Sequence, residues 1–123
     1  MNSKKLCLLM GSHVVLTFTV LFNSVVLAQQ DRFESGLASK DRGHYATALR
    51  AWLPMAEAGN AEAQNNVGYM YEEGLGVPQN YLLAMNWYRQ AADNGLAEAQ
   101  HNMGMLSSRL WGCGKSERGI QVV

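Results

Sequence analysis

The sequence predicts an all-α fold: an α-solenoid of antiparallel helix pairs with about two and a half repeats. The strongest observation is an internal repeat, because residues 61–70 return at residues 97–106 with six of ten positions identical and no gap. Within each repeat, apolar residues recur every three or four positions, which is the spacing of one helix face. The same shift of 36 residues aligns Tyr45, Ala48, Ala56 and Gly59 with Tyr81, Ala84, Ala92 and Gly95.

Residues 1–28 have the pattern of an export signal rather than of a repeat. Lys4 and Lys5 precede an apolar stretch at residues 6–27, and the tripeptide Val-Leu-Ala precedes Gln29. This pattern predicts a secretory signal peptide that is cleaved before Gln29, and therefore a periplasmic or secreted protein without stable membrane insertion. An uncleaved anchor stays open as the alternative, because the apolar stretch is long enough to span a bilayer.

The charge and cysteine content of the predicted mature chain exclude some partners. Without Lys4 and Lys5, eight basic side chains stand against ten acidic ones, a net charge near −2. No basic face is therefore expected, and we predict no nucleic-acid partner. Cys113 is the only cysteine after Gln29, so an internal disulfide is excluded and the fold depends on its packing.

The first unit, at about residues 29–60, is predicted to form two short helices. One covers residues 31–41 and the other covers residues 45–58, with a short glycine-containing turn between them. Pro54 lies inside the second helix and removes a backbone donor. We therefore expect that helix to be kinked or split near Leu53.

The second unit, at about residues 61–96, is predicted to form a longer helix pair. Its first helix covers residues 61–72, and a loop with two glycines and a proline follows. Asn80 is placed to cap a second helix that runs to Asn94. Gly95 then supplies the left-handed residue that commonly ends a helix.

The third unit is predicted to be partial, at residues 97–106, because the repeat pattern is lost after Leu106. The remaining residues, 107–123, contain several glycines and no clear period, so we expect an irregular tail. Two interpretations stay open: the tail caps the array, or the chain is a shortened form of a longer one. In both cases the C-terminal face of the second unit is a candidate for self-association.

The second unit combines small, aromatic and polar residues at fixed spacings: Ala61, Ala63, Gln64, Val67, Gly68, Tyr71, Gly74, Gly76, Val77, Asn80, Ala84, Trp87, Ala91, Ala92 and Gly95. With these residues it resembles a complete Sel1-like repeat, and the first unit is closer to the related tetratricopeptide repeat. The resemblance implies a right-handed α-solenoid that acts as an adaptor, and exported bacterial members are implicated in envelope signalling, polysaccharide regulation or host contact. One branch of the family pairs cysteines within each repeat and is linked to β-lactam binding, but no repeat here has such a pair.

No catalytic or metal-binding pattern is visible in the mature sequence. His44 and His101 are its only histidines, and neither has a cysteine or carboxylate at metal-ligand spacing. No nucleophile, base and oxyanion donor can be assembled from the sequence pattern. We therefore predict no enzyme activity, no metal and no cofactor.

A partner is expected to bind in the concave groove, which the first helix of each unit lines in solenoids of this kind. Positions of these helices that lie off the packing stripe should face the groove, and their mixed character suits an extended peptide or a helix. The predicted groove residues are Phe33, Leu37, Lys40, Asn65, Tyr69, Glu72, His101 and Met105.

The sequence thus predicts a non-enzymatic protein–protein interaction module, an adaptor or scaffold in the bacterial envelope or outside the cell. One alternative is a truncated paralogue without an independent function. A second alternative, from another functional class, is a cell-wall or β-lactam-acting enzyme, which only distant relatives of the resembled family suggest. The sequence does not identify the partner.

Overall fold

Five helices follow one another along the part of the chain that the computed structural model describes. The model describes the backbone of residues 3–121 and the side chains of residues 14–112, so the side chain of Cys113 lies outside the described residues. The chain divides into two compact units, Met1–Arg32 and Phe33–Val123. The helices are α1 at Ser3–Asp41, α2 at Tyr45–Glu57, α3 at Ala61–Glu73, α4 at Tyr81–Asp93 and α5 at Ala97–Gln121.

The described backbone of the first compact unit belongs to α1, and the described side chains of this unit are exposed. The large apolar side chains between Val14 and Leu27 are all accessible to solvent. Among the described residues, the segment Val14–Asp41 is long and apolar enough to cross a membrane, and a signal sequence near the N-terminus meets the same criterion.

The second compact unit contains the stacked helices, and it confirms the predicted fold class. Helix α3 packs between α2 and α4, and α4 packs against α5. We call the first helix of each unit helix A and the second helix B. Residues 33–41 of α1, together with α3 and α5, are helices A, while α2 and α4 are helices B.

The helix ends in this unit follow from the residues at their boundaries. Asn80 caps α4 through its side-chain oxygen, which accepts a hydrogen bond from the backbone N–H of Leu83 at 3.1 Å. Gly95 follows α4 with a φ of +89°, a conformation that glycine adopts without steric cost. Both predictions at these positions are therefore confirmed.

The core of the stacked unit consists of two clusters of buried side chains. The larger cluster joins α2 to α3 around Trp52, and the smaller one joins α4 to α5 around Tyr88 and Leu106. Trp52 and Tyr88 are fully buried, and each comes from a helix B. Burial of a large aromatic side chain contributes roughly 1.5–3 kcal/mol, so these two residues are major contributors to the packing.

Two sequence-based expectations differ from the structure. Pro54 does not split α2, which is continuous from Tyr45 to Glu57. Arg50, whose carbonyl would pair with the missing N–H of Pro54, is exposed like Pro54 itself, so solvent can satisfy the unpaired carbonyl.

The second difference concerns the C-terminal segment. The sequence predicts an irregular tail at residues 107–123. In the structure, residues 107–121 instead continue α5 as far as Gln121. The third unit therefore has a helix A that is longer than the predicted 97–106, and the expected irregular tail is corrected for the described backbone. A glycine lowers helix propensity by only about 1 kcal/mol, so spaced glycines do not by themselves end a helix.

Candidate partner-binding surfaces

Asn65, a predicted groove residue, is buried between α3 and α5 rather than exposed. Its side chain retains 5 % exposure. The Asn65 amide donates to a carboxylate oxygen of Glu98 at 3.2 Å, and its carbonyl oxygen accepts from the Asn102 amide at 2.9 Å. The assignment of Asn65 to a free groove is therefore corrected, because both ends of its amide join successive helices A.

Glu72, another predicted groove residue, is also buried, with 7 % exposure. One carboxylate oxygen accepts a hydrogen bond from the Tyr88 hydroxyl at 2.6 Å, and the other lies 3.2 Å from the Arg109 guanidinium. Burial, together with the hydrogen bond to Glu72, raises the pKa of Tyr88 well above its ordinary value. Glu72 therefore links α3 to both α4 and α5, and it is corrected from a groove residue to a structural one.

Phe33 and Leu37 contribute mainly to the core. Both are partly buried and pack against the larger cluster. The ring of Phe33 lies 5.9 Å from that of Trp52, and the backbone carbonyl of Phe33 accepts from the Trp52 indole N–H at 3.2 Å. Leu37 is therefore corrected from a groove residue to a core residue, because the helix A of the first unit directs this side toward α2. Phe33 also lines a small pocket with Glu62 and Asn65, and its place in the groove stays a prediction.

The other four predicted groove residues remain accessible, and we call them the helix-A face: Lys40, Tyr69, His101 and Met105. Tyr69 is 42 % exposed and Met105 is 57 % exposed. His101 is exposed, and the Lys40 ammonium lies 5.9 Å from the centre of the Tyr69 ring. The structure thus leaves one accessible residue of this set on residues 33–41 of α1, one on α3 and two on α5.

Gln64 was not singled out as a site residue, although it holds three segments together. Its side-chain N–H donates to the carbonyl of Ala56 at 3.0 Å, and its oxygen accepts from the Asn94 amide at 3.0 Å. Gln64 retains only 3 % exposure. The sequence offered one indication of this structural role, because Gln64 recurs as Gln100 in the next repeat.

A second accessible surface lies between α4 and α5, and we call it the C-terminal groove. Its volume is about 580 Å³, and Gly104 and Arg89 are among the residues that line it. The sequence did not predict this groove, because residues beyond Leu106 were expected to be irregular. Its apolar lining consists of Leu82, Met85, Met103, Leu110 and Trp111.

Among the described residues, no group of three or more His, Cys, Asp or Glu side chains could hold a metal ion. Every buried polar side-chain atom in the described part of the chain has a hydrogen-bond partner.

Stacked helix pairs with accessible side chains on helices A and on the last helix B define an α-solenoid repeat protein. Residues 61–96 and 97–118 match the Sel1 repeat model. The stacked unit therefore carries Sel1 repeats, and the second match extends beyond the predicted limit at Leu106. Sel1 repeats generally act as protein–protein interaction modules and typically have no enzyme activity.

The chain is also similar to a solved structure, the crystal structure of a Sel1 repeat protein from Oxalobacter formigenes. The two share 34 % sequence identity over 64 % of this chain, with a TM-score of 0.58. This chain spans about a third of that protein, covering 32 % of its length. No curated protein matches the sequence.

Proposed function

We propose that this chain is a non-enzymatic protein–protein interaction module that acts in the bacterial envelope or outside the cell. It binds a peptide or a helix of its partner on the helix-A face. The observation that carries this proposal is the exposure of Tyr69 and Met105, two large side chains at equivalent positions of successive repeats. A surface that repeats along an array suits an extended partner.

The side chains of the helix-A face are of the types that stabilise protein interfaces. Tyrosine and methionine are enriched at interfaces, because they bury a large apolar area on binding. The Lys40 ammonium beside the Tyr69 ring adds a positive charge, which favours an acidic residue in the partner. His101 provides a hydrogen-bonding group next to these apolar contacts.

The N-terminal segment supports export. The apolar side chains between Val14 and Leu27 are exposed, and they require either a bilayer or removal. The second compact unit begins at Phe33, four residues after Gln29, so cleavage before Gln29 would leave that unit whole. These observations support the proposal that the mature chain acts in the periplasm or the external medium.

The test is selection of displayed random peptides on the immobilised chain, followed by affinity measurements on the enriched peptides. The double variant with Tyr69→Ala and Met105→Ala should weaken their binding at least tenfold, about 1.4 kcal/mol, because two contact side chains are lost. Leu83→Ala is the matched control, since Leu83 is 40 % exposed on α4 and lies outside the helix-A face.

Equal affinity of the enriched peptides for the wild-type chain and for the double variant would contradict the proposal. Circular dichroism of each variant checks that the helices are retained. Both replaced side chains are substantially exposed, so alanine at these positions should leave the fold intact.

A further inference from the structure

The first two helices A each contain a glycine that is covered by an aromatic ring of helix B. A Cβ on Gly36 would overlap the indole of Trp52. A Cβ on Gly68 would lie 2.9 Å from the Tyr88 ring and 3.3 Å from the carbonyl oxygen of Ala84. Glycine is thus required at both positions, because only a residue without a side chain admits the ring.

The helices that cover these glycines share a short pattern. In α2, Ala48 precedes Trp52 by four residues, and in α4, Ala84 precedes Tyr88 by four residues. All four side chains are fully buried. Residues four positions apart lie on the same face of a helix. A small residue and an aromatic residue therefore form one contact surface on each helix B.

The third helix A has the glycine but not the covering ring. Gly104 lies 36 residues after Gly68, and a Cβ built on it would meet nothing within 4 Å. Helix α5 continues to Gln121 without turning back, and no helix of the described chain covers Gly104. Gly104 is therefore an uncovered glycine, at the position of its helix A that is equivalent to Gly68.

Gly104 lines the C-terminal groove together with several apolar side chains. Leu82 is 77 % exposed and Trp111 is 62 % exposed, while Met85 and Met103 are partly buried. Arg89 lines the groove and forms no ion pair with the side chains that the structure describes. The apolar lining suits an amphipathic helix, and the Arg89 guanidinium favours an acidic residue beside the apolar face of that helix.

We propose that the C-terminal groove binds a helix of a partner protein that carries a small residue and, four positions later, an aromatic residue. The aromatic ring lies on Gly104, as Tyr88 lies on Gly68, and the small residue lets the two backbones approach. The bound helix extends the packing of α4 on α3 by one further element. This inference rests on the proposed function, an interaction module, and assigns it a second binding surface with a defined ligand.

The probe is a synthetic helix taken from the chain itself, because α4 already carries the required pattern. A fluorescent peptide of residues 80–94 contains Ala84 and Tyr88 at the correct spacing. A lactam bridge between the replacements Asn86→Glu and Gln90→Lys holds it helical, since both residues are exposed in α4. Without such a constraint, a helix of this length is marginal in water.

Binding is measured by fluorescence anisotropy on the full chain, which is produced with its own N-terminal segment. If that segment is retained, the protein is held in nanodiscs. The peptide should bind saturably. Gly104→Leu in the protein should weaken binding at least tenfold, because the leucine side chain occupies the space above Gly104 that the aromatic ring of the peptide needs. Leucine also has a higher helix propensity than glycine, so α5 should be retained. Tyr88→Ala in the peptide should weaken binding by a similar factor.

Gly112→Leu provides the matched control. Gly112 lies on α5 and, like Gly104, has nothing within 4 Å of an added Cβ, but it does not line the groove. This variant should leave the affinity for the peptide unchanged. Circular dichroism of both variants verifies that α5 and its neighbours remain helical.

A second copy of the chain is the competing occupant of the groove. Sedimentation velocity detects this alternative, because it distinguishes a dimer from a monomer. A dimer that Gly104→Leu dissociates would overturn the proposal in favour of self-association. Absence of peptide binding, or equal weakening by Gly112→Leu, would also overturn it. The double variant with Tyr69→Ala and Met105→Ala distinguishes binding at the C-terminal groove from binding at the helix-A face, because it should not change the affinity for this peptide.

Discussion

Glu72 shows how a single residue connects three helices. Its buried carboxylate accepts a hydrogen bond from Tyr88 on α4 and pairs with Arg109 on α5. A buried carboxylate is costly unless such partners satisfy it. Arg109 also lies 3.7 Å from Glu73, although its side chain is half exposed and this contact contributes little.

The shifted pKa of Tyr88 leads to a prediction about alkaline unfolding. Burial raises the pKa of Tyr88 in the folded chain, and the hydrogen bond to Glu72 raises it further, so the folded state holds this proton more tightly than the unfolded state does. The resulting stability is present below the ordinary tyrosine pKa of about 10. It is lost by about 1.4 kcal/mol per pH unit as the pH rises above that value.

Urea unfolding of the wild-type chain and of Tyr88→Phe checks this prediction. Between pH of about 8 and about 11, the wild-type chain should lose more stability than the variant, because phenylalanine has no proton to release. Parallel losses in the two proteins would show that Tyr88 does not bind its proton as the structure indicates.

At the residue scale, the sequence predicted the capping role of Asn80 and the left-handed conformation of Gly95, but not which polar residues are buried. Asn65 and Glu72 are polar, and on a helix surface such residues are usually solvated. Their burial depends on partners far away in the sequence, Glu98 and Asn102 for Asn65, and Tyr88 for Glu72. A periodicity along one helix does not contain that information.

At the scale of elements, the boundaries of α2, α3 and α4 were predictable because they depend on local residues. Asn60 and Asn80 cap their helices, and glycines with positive φ close the turns. The course of α5 beyond Leu106 was not predictable. The loss of the repeat pattern was interpreted as loss of the helix, whereas the helix continues without the pattern.

The loop between α3 and α4 is subject to a tertiary constraint that its sequence alone does not reveal. Gly76 has a φ of +72°, and a Cβ there would lie 2.7 Å from the backbone nitrogen of Ala46 at the start of α2. The glycine is therefore needed for two reasons, its backbone conformation and its close contact with the preceding helix pair.

At the scale of the whole molecule, export makes a prediction about the N-terminus. If the signal peptide is removed as proposed, the chain recovered after export from a bacterial host begins at Gln29. Intact-mass measurement, with N-terminal sequencing, gives the answer directly. A chain that retains Met1 and stays in the membrane fraction would instead show that the apolar segment is an anchor.

The stacking of helix B on the glycines of helix A is the central claim, and a pair of alanine variants tests it most directly. Gly68→Ala gains about 1 kcal/mol of helix propensity, but it places a methyl group against the Tyr88 ring, an overpacking that costs about 1–3 kcal/mol. Gly104→Ala meets nothing and should gain about 1 kcal/mol of helix propensity. We predict that Gly104→Ala raises the unfolding free energy, measured by urea titration, and that Gly68→Ala leaves it lower than Gly104→Ala by the overpacking cost of about 1–3 kcal/mol. Equal changes in the two variants would contradict the account.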